Sequence, residues 1–173
     1  RGVVDLISAD LSGRRIIVTG GASGIGLAAV EIMAKLGAKV ALNYLPNDET
    51  GSMRVDEFNA AGLEVIGAPG DVGIAGEAEA MISAAITQLD GLDYLINNAG
   101  TPGTPEPIAP ANLDAMTEEF WQMLLNVNLI GPFRCAHAAA DALKQSKGAI
   151  VNTASIAGVG KQGSSIVYSA TKT

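Results

Sequence analysis

Short runs of apolar and β-branched residues alternate with longer helical stretches along the 173 residues of the chain. That alternation is the pattern of parallel strands joined by helical crossovers, a sheet covered on both faces. A first strand is expected at Arg14–Thr19, after which Gly20–Gly26 turns the chain into a helix running to about Leu36 and stopped by Gly37. A second strand, Lys39–Leu45, leads through Pro46 and Asn47 to a helix ending near Ala61 and Gly62. Strand three, Leu63–Ala68, is followed by Gly70-Asp71-Val72 and a helix over Glu77–Gln88. Strand four, Leu92–Asn97, ends in Asn98-Ala99-Gly100, and a Pro- and Gly-rich loop runs from Thr101 to about Pro110. A long helical stretch from about Met116 to Lys144 precedes strand five at Ala149–Thr153. With right-handed crossovers throughout, the fold class is α/β with a doubly wound parallel sheet.

A chain that is 48% hydrophobic and 17% charged can bury a core of this kind, and residues 1–173 are expected to form one domain. A net charge of −7, with no block of Lys or Arg, argues against nucleic acid as the main partner. No apolar run reaches bilayer length, so no membrane partner is expected. Cys135 is the only cysteine and cannot form an internal disulfide, which points to a reducing compartment, the cytoplasm.

The loop between strand one and the first helix reads Thr19-Gly20-Gly21-Ala22-Ser23-Gly24-Ile25-Gly26. Glycines there let the backbone turn tightly and approach a pyrophosphate, whose charge the helix N-terminus favours. The spacing Gly-x-x-x-Gly-x-Gly differs from the usual dinucleotide fingerprint. It resembles the short-chain dehydrogenase/reductase family, whose fold is Rossmann-like. The resemblance recurs in order: Asp71-Val72 after strand three, Asn97-Asn98-Ala99-Gly100 after strand four, then Ser155 and Tyr168-Ser169-Ala170-Thr171-Lys172. Each of the first motifs ends a strand at the carboxyl edge, where open α/β sheets bind ligands.

The resemblance implies an NAD(P)-dependent oxidoreductase moving hydride between the nicotinamide and a small-molecule ketone or secondary alcohol. It places Gly20, Ser23, Gly24, Ile25, Gly26, Tyr44, Asp71, Val72, Asn98, Ala99, Gly100, Tyr168 and Lys172 around the cofactor, and makes Asn128, Ser155, Tyr168 and Lys172 the catalytic set. No metal is implied. Tyr168 would exchange a proton with the substrate oxygen, Ser155 would hydrogen-bond that oxygen, and Lys172 would hold the nicotinamide ribose. A free tyrosine titrates near pH ~10, and a cation beside one favours its phenolate. Tyr168 and Lys172, four residues apart, fall on one helical face. A non-catalytic nucleotide-binding relative would have a broken set, whereas all four residues are present here. Epimerase or dehydratase relatives usually carry a differently spaced glycine loop.

Strand two ends Asn43-Tyr44-Leu45, with neither the acid that would hold NAD nor the Arg that would accept NADP. Asp48 and Glu49 are read as opening the next helix. Without an acid at the strand end, repulsion against a 2′-phosphate is removed, so the expectation tips toward NADP, with NAD or dual use left open. Pro132 has no N–H for the Asn128 carbonyl, so a kink is expected in the long helix. The family resemblance then places an ordered water between that carbonyl and the lysine.

Ser164, Ser165 and Ser169 are read as capping or solvating a helix start, His137 as exposed or packing, and Cys135 as a small core residue. Phe120, Trp121 and Leu124 read as an apolar helix face open to a subunit contact. The family continues beyond the lysine with two more strands and a substrate-covering segment, so the chain is expected to be a partial one. In that case strand five lies at an open edge, and the piece is expected to bind cofactor poorly. The intact protein is expected to be a homodimer or homotetramer by the same resemblance.

Overall fold

The computed structural model describes residues 9–161 and 163–173. Five parallel strands run β1 (Arg15–Val18), β2 (Lys39–Tyr44), β3 (Val65–Pro69), β4 (Tyr94–Asn97) and β5 (Ala149–Asn152). Between them lie α1 (Gly24–Lys35), α2 (Glu49–Ala60) and α3 (Glu77–Leu89). α4 (Glu118–Leu125) and α5 (Gly131–Ser146) precede β5, and α6 (Ile166–Lys172) follows it. The strand order is β3-β2-β1-β4-β5, with the register Ile17↔Ala41 and Ile17↔Leu95 across the centre. The chain is therefore the expected Rossmann-like doubly wound sheet. β1 lies where the winding reverses, which opens a crevice at the carboxyl ends of β1 and β4.

Side chains that alternate along each strand divide the core in two. Ile17, Ala41 and Leu95 face α3 and α5, packing with Ile82, Leu89, Cys135 and Leu143. Ile16, Val18, Val40 and Leu42 face the other way onto Val30 and Ala34 of α1 and the half-buried Phe58 of α2. Both faces being buried explains why the strands read as nearly continuous apolar runs.

Two of the departures from the sequence expectation have a clear physical reason. β3 runs on to Pro69, although proline cannot donate to a ladder. It is tolerated because β3 is an edge strand with β2 as its one neighbour. The single long helix is divided by one π-type turn over Asn126–Ile130, whose widened register shows in the bond from Gly131 N to the Asn126 carbonyl. Pro132 follows directly, so the expected interruption is present. β5 is exposed along its length and forms the other edge, as expected. Among the described residues no helix is long and apolar enough to cross a membrane.

The amino ends of the strands are tied by Asp93. Its carboxylate accepts from Arg15 N at 3.0 Å and Arg15 Nε at 2.8 Å, and Arg15 Nη1 also donates to the Asp90 carbonyl. The guanidinium beside it holds the Asp93 carboxyl below the usual carboxylate range. A carboxyl lowered in the folded state stabilises above its unfolded pKa, and that contribution is lost as pH falls through the folded value. Asp93→Asn is expected to cost about 1.5–3 kcal/mol in urea unfolding at neutral pH. The gap from the parent protein should close in strong acid; a gap that persists there would contradict the pairing.

Candidate active site

The glycine loop is held from three sides. Thr19 Oγ1 accepts from the backbone N–H groups of Asn98 and Ala99, each at 3.0 Å, and so locks the end of β1 to the turn after β4. Asn98 returns the contact, donating through Nδ2 to the carbonyls of Thr19 at 3.1 Å and Gly20 at 3.2 Å. Its Oδ1 accepts from Thr153 Oγ1 at 3.3 Å, which extends the network to the end of β5. On the other side, buried Asn43 accepts from Gly20 N at 3.0 Å and donates to the carbonyls of Ala68 at 3.0 Å and Gly70 at 2.9 Å. Sequence reasoning passed over Asn43, because its partners lie 23–27 residues away.

Packing requires glycine at two loop positions. Gly20 has φ +62°, and a Cβ there would lie 2.9 Å from the Ala99 Cα. A Cβ at Gly26 would overlap the Gly20 carbonyl and lie 2.6 Å from Asn98 Nδ2. Ser23 opens α1 in an extended conformation and makes no side-chain cap. The first-turn amides of α1 therefore lack a side-chain acceptor and suit an anion, and the residues present fit the pyrophosphate of a dinucleotide.

The catalytic candidates arrive from three further elements. Asn128 lies buried in the π-type turn, where Oδ1 accepts from Thr101 N at 2.8 Å and Nδ2 donates to Thr101 O at 2.9 Å and Thr171 Oγ1 at 3.1 Å. Its side chain thus ties the loop after β4 to α6. Ser155 caps a short 3-10 turn, accepting from Ala157 N at 3.2 Å, and its O–H has no acceptor among the described residues. Ser165 caps α6 by accepting from Tyr168 N at 2.9 Å, as the sequence predicts. Buried Val167 anchors α6 against Met116 and Leu124.

Lys172, one helical turn after Tyr168, donates through Nζ to the Thr153 carbonyl at 3.1 Å. Burial pushes its pKa below the usual lysine value. A side chain at Gly100 would meet Asn128 Oδ1 at 3.2 Å and Lys172 Nζ at 3.3 Å, so both groups converge on that glycine.

A cleft of about 460 Å³ joins these parts. It is lined by Gly20, Ser23, Gly24 and Ile25 of the loop, by Asn98, Ala99 and Gly100, and by Ser155, Tyr168 and Lys172. Gly26 lies beneath the loop, and Asn128 lines the neighbouring groove beside Ala99 and Lys172. Asp71 lies farther along, past β3, and Val72 is buried with its carbonyl facing Arg134. Tyr44 stands apart: its ring packs against Gly51 of α2, and a Cβ at Gly67 would lie 3.0 Å from its hydroxyl. Glycine at both positions makes room for the ring there rather than in the cleft.

Other candidates fall outside the cleft. Cys135 is fully buried, and burial pushes its thiol up to about 12, so it is an inert core residue. His137 is exposed and stacks on Phe133 with ring centroids 6.0 Å apart. Phe120, Trp121 and Leu124 pack within the chain against Val167, not on an outer face alone.

Residues 14–173 match the family model for short-chain dehydrogenases, and the chain belongs to that family. It is 36% identical over 159 residues to the 3-oxoacyl-(acyl-carrier-protein) reductase FabG of Staphylococcus aureus, covering 90% of this chain and 61% of that enzyme. Solved structures of several dehydrogenases are similar to it. One is a gluconate 5-dehydrogenase from Burkholderia cenocepacia in complex with NADP and tartrate, 32% identical with a TM-score of 0.82, covering 94% of this chain and 62% of that one. Another is a 7α-hydroxysteroid dehydrogenase complexed with NADH and 7-oxo glycochenodeoxycholic acid, 26% identical with a TM-score of 0.82, covering 94% and 61%. The chain thus spans about three fifths of the length of these relatives.

Proposed function

We propose that the protein is an NAD(P)-dependent oxidoreductase that interconverts a small-molecule ketone and secondary alcohol within one nucleotide-binding domain. The observation that carries this is the single cleft in which the glycine loop at the α1 N-terminus meets Ser155, Tyr168 and Lys172. Relatives complexed with NADP and with NADH support the cofactor class. A bound nicotinamide would supply the hydride in reduction and accept it in oxidation.

The chain's own residues do the rest. Backbone amides at the start of α1 hold the pyrophosphate, and Asn98, Ala99 and Gly100 form the floor beneath the nucleotide. Tyr168 gives its phenolic proton to the carbonyl oxygen in reduction and takes it back in oxidation. Ser155 donates its O–H to the same oxygen and stabilises the charge that grows there. Lys172, its ammonium already directed at the Thr153 carbonyl, holds the nicotinamide ribose. Asn128 positions α6 through Thr171 and offers its main-chain carbonyl for a water that passes protons to Lys172. A cytoplasmic setting suits the lone Cys135, and exposed Leu129 and Phe133 offer apolar surface for a homodimer or homotetramer.

Spectrophotometry of nicotinamide oxidation with a panel of ketones, and of its reduction with secondary alcohols, tests the proposal. Turnover of at least one pair is expected from the intact protein, and nucleotide binding without turnover of any would contradict it.

Arg134 supplies a separate test of the cofactor wall. From α5 it donates Nη1 to the Gly73 carbonyl at 2.9 Å and the Val72 carbonyl at 3.4 Å, pinning the loop that carries Asp71. Arg134→Met should weaken nucleotide binding about fivefold, while kcat at saturating nucleotide holds. An unchanged Kd by fluorescence titration would show that the loop needs no such anchor.

A further inference from the structure

Beyond the carboxyl ends of β2 and β3 lies a second cavity, of about 480 Å³. In dinucleotide-binding sheets, the chain just beyond the second strand meets the adenosine ribose at its 2′ position, a hydroxyl in NAD and a phosphate in NADP. Here that cavity is lined by three carboxylates, Asp48, Asp71 and Glu77, and by no Lys or Arg.

Each carboxylate has a local reason to be where it is. Asp48 caps α2 by accepting from Thr50 N at 2.9 Å. Asp71 accepts from Gly73 N at 2.7 Å, and Glu77, the first residue of α3, accepts from Asp71 N at 3.4 Å. Backbone amides thus tether the three acids around one opening. Arg134, which touches the same loop, directs its guanidinium to the Val72 and Gly73 carbonyls. The glycine loop from Gly20 to Gly26 carries no cation either.

We infer that this cavity receives the adenosine end of the nucleotide, rejects a 2′-phosphate and selects NAD(H) over NADP(H), with Asp48 and Glu77 as the discriminating residues. The inference rests on the proposed hydride-transfer function. It reverses the expectation drawn from the end of β2, which carries no acid. The acids come instead from the loop after that strand and from the start of α3, which only the folded chain brings together. A ribose hydroxyl can donate to any of these carboxylates. A 2′-phosphate brings further negative charge with no cation to meet it.

Fluorescence titration of the intact protein with NADH and NADPH tests this directly. NADH should bind at least about tenfold more tightly. Added salt should narrow the preference, because the repulsion acts at a solvent-open site. The double variant Asp48→Asn/Glu77→Gln, in which asparagine keeps the helix cap, should gain affinity for NADPH but not for NADH. Equal or tighter binding of NADPH by the parent protein would overturn the inference and leave the proposed function standing. A double variant with the full NADH preference would overturn the role of these two acids. If neither nucleotide bound, both the inference and the proposed function would fall.

Discussion

Replacing Tyr168 with phenylalanine is expected to lower kcat by about 10²–10⁴-fold while leaving nucleotide affinity little changed. The phenyl ring keeps the packing of Tyr168 beside Gly163, and the cap from Ser165 to residue 168 uses the backbone N–H. Only the exchangeable proton is lost. In reduction the carbonyl oxygen would then have no acid to protonate it as the hydride arrives. Steady-state kinetics and nucleotide titration on the same preparation separate this from misfolding. A variant that keeps near-parent kcat would move the acid–base role away from Tyr168, and a parallel collapse of nucleotide affinity would make that residue structural.

An equally large effect is expected at Gly26, for a different reason. The Cβ of Gly26→Ala would overlap the Gly20 carbonyl and press on the Asn98 amide, which itself bonds Thr19 and Gly20. Backbone atoms flank the site, so relief requires the loop and α1 to move apart. Overpacking of this kind typically costs about 1–3 kcal/mol. The displaced amides at the α1 N-terminus would also lose their aim at the pyrophosphate, and nucleotide affinity should fall by about 100-fold or more. Urea unfolding and NADH titration read the two consequences separately. Parent-like values for both would show that the loop has more room than its packing implies.

The elements that carry local signals were legible in the sequence. The glycine loop, the Tyr168–Lys172 pair on one helical face and the capping serine at Ser165 each depend on residues within a turn or two, and the structure places them as expected. The alternation of the core was equally plain, because strands covered on both faces leave unbroken apolar runs. What escaped was set by long-range contacts. Asn43 has no motif of its own, and its importance comes from spanning Gly20 and Gly70 across two strand ends. Arg134 belongs to no motif, and only the fold sets it against Gly73, 61 residues earlier in the sequence. Asp48 was correctly read as a helix opener, but pattern alone could not show that it also lines one cavity with Glu77. The family resemblance places Tyr44 around the cofactor, yet the room left by Gly51 and Gly67 draws its ring under α2.

The most direct measurement is the fate of hydrogen at the nicotinamide. The intact protein would be given a reduced nucleotide deuterated at the transferring position, with a ketone that supports turnover, and the product alcohol analysed by mass spectrometry. Direct hydride transfer predicts one deuterium on the carbinol carbon of each product molecule, none of it exchanged with water, and the same label from the slow Tyr168→Phe variant. Product hydrogen drawn from solvent, or nucleotide oxidation without labelled alcohol, would contradict a reductase working through this cleft.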